Sequence, residues 1–139
     1  SLNEAAMTDP ANLYARMIRA YVNSNTPDNA KEAIIEYGRI GNTLDPETFR
    51  DVTYKALAQC LAGKKLDADE TMKRAIREKE NKTKDDYYLA AVYYAQTGDL
   101  ATGKEMIDKA VSLGYQNLYN LYTNNTANLN IAPLRHLLK

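Results

Sequence analysis

Nowhere in this 139-residue chain is there a run approaching the roughly 18 apolar residues that a membrane-spanning helix needs, so no membrane insertion is expected of it. Cysteine occurs once, as Cys60, which rules out an internal disulfide. The single histidine, His136, cannot join Cys60 in a zinc site of three or four Cys/His ligands. Serine is found only at positions 1, 24 and 112, none of them in a Gly-x-Ser-x-Gly turn. The six glycines form no phosphate-cradling loop. Neither sign of charge is in excess. Eighteen Lys and Arg balance eighteen Asp and Glu, so the basic surplus that drives counterion-release binding to nucleic acid is missing. The polar faces carry mixed charge rather than the Lys/Arg bias of interfacial helices. Asp67, Asp69 and Glu70 crowd one helix start, where they point in different directions and complement the helix dipole. The residues therefore offer no catalytic group, no metal ligand set and no cofactor site, and an enzyme is not expected.

Periodicity and eleven tyrosines are what the chain does have. Tyr87, Ala90, Ala91 and Tyr94 recur at i, i+3, i+4 and i+7, one face of a helix. Gly98-Asp99 interrupts the pattern. Gly103, Met106, Ile107, Ala110 and Val111 resume it, and Gly114 ends it as a C′ glycine does. Moving this helix–turn–helix template back by 35 residues puts Gly98 on Gly63, Gly103 on Ala68 and Ile107 on Met72. A further step of 38 brings Ala68 to Ala30 and Met72 to Ile34, after a helix carrying Tyr14, Met17, Ile18 and Tyr21. Three hairpins at such spacing make a repeat array. Small residues at Ala30, Ala56, Ala68, Ala91 and Gly103 let paired helices approach closely. Pro46 is expected in a helix's first turn with Asp45 as its cap, Thr26-Pro27-Asp28 as a break, and Glu78 to Asp86 as a solvated connector.

With these residues in place the chain resembles the tetratricopeptide repeat family, whose unit of about 34 residues pairs a large residue, small or apolar ones, then Tyr, Ala and a closing Pro. Tyr87-x-x-Ala90-Ala91-x-x-Tyr94 with Gly103-x-x-x-Ile107 carries the likeness best. Tyr14-x-x-Met17-Ile18-x-x-Tyr21 is close to it, Val52-x-x-Lys55-Ala56-x-x-Gln59 is degenerate, and Asp9-Pro10 and Asp45-Pro46 match the acidic-Pro junction. The resemblance implies an all-α fold, a right-handed superhelix (α-solenoid) of three helical hairpins plus C-terminal capping helices. Its divisions are 1–9, the tail of a preceding helix; 10–44, 45–83 and 84–115, the repeats; and 116–139, the cap. Similar Leu-Arg-x-Leu-Leu endings recur in bacterial members of the family. Because the chain opens on Ser1-Leu2 rather than Met, its natural start is expected to be trimmed, and cytoplasm and periplasm stay open as compartments.

The family's first helices line a concave face. By resemblance its groove positions here are Ala15, Arg19 and Val22; Thr53, Leu57 and Cys60; and Tyr88, Val92 and Ala95, with Arg16 and Tyr54 on the shoulder. Ala, Thr and Tyr at the first position depart from the Lys/Asn/Arg set with which some members hold a peptide carboxylate. Arg16, Arg19, Tyr54, Leu57, Tyr88 and Val92 are thus the expected partner-binding groove for an extended or helical apolar segment. The expected role is a non-enzymatic scaffold or adaptor that binds a protein or peptide. The alternative is an appendage that packs in cis on another domain or self-associates as a homodimer. Cys60 beside Leu57 and Leu61 is expected to be a buried structural thiol.

Overall fold

A computed structural model describes residues 11–24, 26–44, 46–80 and 82–115. They form six α-helices: α1 (Ala11–Ser24), α2 (Ala30–Gly41), α3 (Phe49–Leu61), α4 (Lys65–Glu78), α5 (Lys84–Thr97) and α6 (Leu100–Ser112). A 3-10 turn, Pro27–Asn29, precedes α2, and there is no strand among the described residues. The expected segments 1–9 and 116–139, with Asp9-Pro10 and His136, lie outside them.

Local chemistry sets the helix ends. Thr48 caps α3 by accepting a hydrogen bond from the Asp51 backbone N–H at 3.1 Å. Thr83 caps α5 in the same way, and Asp86 reaches back to the Thr83 N–H at 3.0 Å to complete a capping box. The two sequences, Thr-Phe-Arg-Asp and Thr-Lys-Asp-Asp, lie 35 residues apart. This corrects the expectation at Asp45-Pro46: α3 starts at Phe49 under a Thr cap, and Pro46 sits buried before it. Gly63 and Gly98 close α3 and α5 at φ 87° and 86°, where a Cβ would strain the backbone. In both places the glycine N–H bonds the carbonyl three residues back and the next N–H the carbonyl five back, Lys64 to Gln59 and Asp99 to Tyr94.

These tight turns fold consecutive helices back on one another, and α1 packs on α2, α3 on α4, and α5 on α6. Between hairpins, α3 also meets α1, α2 and α5. It is consequently buried on every side, from Asp51 to Ala58, polar residues included. The α4 and α5 backbones approach each other little. One buried side chain spans that gap, the Tyr93 hydroxyl donating to Asp69 Oδ1 at 2.8 Å. The 79–83 connector is shorter than expected and partly anchored, with Lys82 lying over the Phe49 ring at 5.5 Å.

The second helices correct the repeat spacing. Ala68, Thr71, Met72 and Ala75 are the buried face of α4, and Gly103, Met106, Ile107 and Ala110 that of α6. On α2 the buried residues are Ala33, Tyr37, Ile40 and Gly41, while Ile34 is 55% exposed. Ala33, not Ala30, is therefore the counterpart of Ala68 and Gly103, and these helices repeat evenly at 35. The displacement arises in the first hairpin's turn, where Pro27–Asn29 adds three residues between α1 and α2.

Candidate functional site

The expected groove residues fall into two groups. Arg19 is exposed on α1 together with Ala15, and Val22 beside them is 54% exposed. The remaining five are buried. Leu57 and Val92 are wholly so and Tyr54 and Tyr88 nearly so. An open groove lined by these five is not what the helices form, because α3 is enclosed by four neighbours and α5 is apolar around its whole circumference from Tyr88 to Ala95. Thr53 is fully buried too and turns its hydroxyl onto the Phe49 carbonyl at 2.9 Å. Tyr88 stacks on Tyr115, with ring centres 5.2 Å apart and planes 8° from parallel. Desolvation raises the Tyr88 phenol well above its usual range, with Tyr115 and Tyr54 adding to the effect. Tyr54, Tyr88 and Tyr115 thus form one aromatic cluster, and Tyr115 is the member that periodicity alone did not single out.

Arg16 turns inward to α2. Its Nε donates to Glu36 Oε1 at 2.8 Å, and the other Glu36 oxygen lies 3.6 Å from Arg39. The buried Nη1 of Arg16 has no hydrogen-bond partner. Gln59 links three helices: its Oε1 accepts from the Thr71 hydroxyl on α4 at 2.7 Å and its Nε2 donates to the Gly41 carbonyl on α2 at 3.4 Å. The side chains of Tyr14 and Ile18 lie outside the described residues.

Chemically reactive groups are sparse. Cys60 is half-buried, with its thiol pushed up by burial first and by Asp69 second, against a lowering influence of Lys65. That direction disfavours the thiolate needed for nucleophilic work. Among the described residues no group of three or more His, Cys, Asp or Glu is placed to hold a metal ion. No described helix is long and apolar enough to cross a membrane.

No protein-family model, curated protein or solved structure matches the chain.

Exposed apolar side chains occur in all three hairpins, Leu44, Leu66 and Leu113 among them. In the first hairpin, Val22 on α1 and Ile34 and Ile35 on α2 are each more than half exposed. Arg19, by its position on α1, belongs to the same hairpin.

Proposed function

We propose that the chain is a tetratricopeptide-like α-solenoid of three hairpins, 10–44, 45–83 and 84–115, acting as a non-enzymatic protein–protein interaction scaffold. The observation that carries this reading is the lateral order α1, α3, α5, in which the first helix of each hairpin neighbours the next. The exposed members of the expected groove positions, Ala15, Arg19 and Val22, all lie on α1. A partner segment that engages this helix would meet one cation and two small or apolar side chains, which suits an apolar segment bearing a carboxylate.

Placing a photo-crosslinking residue at position 19 and, separately, at position 77 on the exposed face of α4 tests the reading. Capture of a discrete partner from position 19 alone, abolished by Val22→Asp with unchanged helical circular dichroism, is the expected result. Equal labelling from both positions would defeat it. The second reading, packing in cis or self-association, draws on the exposed Val22, Ile34 and Ile35. Light scattering separates the two, since a stable dimer dispersed by Ile34→Glu would favour self-association.

A further inference from the structure

Because α4 and α5 do not pack backbone to backbone, a cleft of about 320 Å³ opens between α4 and the turn of the third hairpin. That volume corresponds to roughly ten water molecules. Lys65, Asp69 and Lys73 line it from α4 at i, i+4 and i+8, so they share one helix face. Tyr94 and Thr97 close it from the end of α5, and Asp99 and Thr102 from the start of α6.

The hydrogen-bonding capacity inside this cleft is unevenly used. Asp69 accepts the Tyr93 hydroxyl through Oδ1. Asp99 serves as the N-cap of α6, accepting from the Thr102 N–H at 3.1 Å and its hydroxyl at 2.7 Å. The Thr97 hydroxyl is turned onto the Tyr94 carbonyl at 3.0 Å. By contrast, neither lysine ammonium forms an ion pair or hydrogen bond among the described residues. The Tyr94 hydroxyl likewise has no partner there, although Tyr94 is only 9% exposed and lines the cleft. Unspent donors are what a carboxylate requires. The two lysines are balanced in charge by Asp69 and Asp99, so a ligand carrying only negative charge is not favoured overall.

We propose that this cleft binds a small zwitterion of the free amino-acid type, its carboxylate held by Lys65, Lys73 and the Tyr94 hydroxyl and its ammonium facing Asp69 and Asp99. The site is independent of the scaffold reading, since none of its residues lies on α1. Burial, with Asp99, Asp69 and Glu105, raises the Tyr94 phenol to about 12, so at neutral pH it stays a donor.

The test titrates the full chain, by chemical-shift mapping and calorimetry, with glutamine and with its two halves: 4-carbamoylbutanoate, which lacks the ammonium, and 4-aminobutanamide, which lacks the carboxylate. Glutamine should perturb resonances around Lys65, Lys73 and Thr102 saturably, and each half should bind at least tenfold more weakly. Lys73→Gln and Tyr94→Phe should each weaken glutamine several-fold, the former at an exposed position where the fold is not at stake. Absence of saturable shifts up to tens of millimolar overturns the proposal. So does equal binding of 4-carbamoylbutanoate, or affinity unchanged in both variants.

Discussion

Leu57→Ala decides whether α3 presents a surface or forms the centre of the core. Leu57 has no exposed area and sits in the middle of a helix contacted by α1, α2, α4 and α5. Truncating a fully enclosed leucine removes its transfer free energy and leaves a cavity, together about 3 to 5 kcal/mol. An unfolding entropy of about 2.1 cal/mol/K per residue, over 139 residues, converts each kcal/mol into roughly 3 °C. The melting temperature, followed by circular dichroism at 222 nm, should therefore fall by roughly 10 °C or more. Urea unfolding should give a lower midpoint with an unchanged slope. Arg19→Ala is the internal control: at an exposed position its cost should stay within about 0.5 kcal/mol, under 2 °C. A Leu57→Ala protein that melts within 2 or 3 °C of wild type would show that this side chain faces solvent or a relaxed groove, and the enclosure of α3 would be wrong.

Two further outcomes follow from the glycines and the tyrosines. A Cβ on Gly41 would stand 2.9 Å from Gln59 Cγ and 3.5 Å from its Cα, whereas one on Gly38 meets nothing within 4 Å. Gly41→Leu should thus destabilise by about 1 to 3 kcal/mol through overpacking, and Gly38→Ala should stabilise by up to about 1 kcal/mol through helix propensity, both read by urea unfolding. At alkaline pH, Tyr37, Tyr88, Tyr93 and Tyr94 all hold their protons more tightly than an ordinary phenol, burial being the leading cause for each. The unfolded chain releases those protons first, near pH 10, so stability is complete below that value and is lost as pH rises. Tyr94 alone accounts for a loss of about 2 to 3 kcal/mol between pH 10 and 12. Absorbance at 295 nm should accordingly show part of the tyrosine titration arriving together with loss of helical signal above pH 10. A smooth titration centred on 10 with helicity intact would contradict the burial of these rings.

Much of the third hairpin is legible in the chain because one residue type does one job at each position there. Gly98 turns, Gly103 and Ala110 permit close approach, and Met106 and Ile107 fill the interface. The first hairpin is misread by three residues, since Ala30 and Ile34 offer the same small-then-large pattern as Ala33 and Tyr37. Only the added turn Pro27–Asn29 tells them apart. The burial of α5 had a visible signal in the unbroken apolar run from Tyr88 to Ala95, which no amphipathic groove helix carries. The burial of α3 had none. Thr53 is expected to line a groove and Lys55 is a charged residue within the degenerate repeat motif, and only the convergence of four other helices encloses them together with Asp51.

The two junctions between hairpins differ in both geometry and chemistry. A step of 35 residues carries Lys65, Asp69 and Lys73 back onto Ala30, Ile34 and Gly38, so the wall that is ionic on α4 is uncharged on α2. Across the first junction the helices close in, Gly41 lying against Gln59, whose amide reaches the Gly41 carbonyl. Across the second, α4 approaches α5 little and the Tyr93 hydroxyl reaches Asp69 instead. A tyrosine at 93 where the preceding hairpin has Ala58 accounts for this spacing: the larger ring occupies the interval that direct backbone contact fills elsewhere. Gap and ionic lining therefore occur together at one junction only. The ionic lining that α4 contributes is consequently a property of the α4 sequence, and neither of its lysines is ion-paired among the described residues.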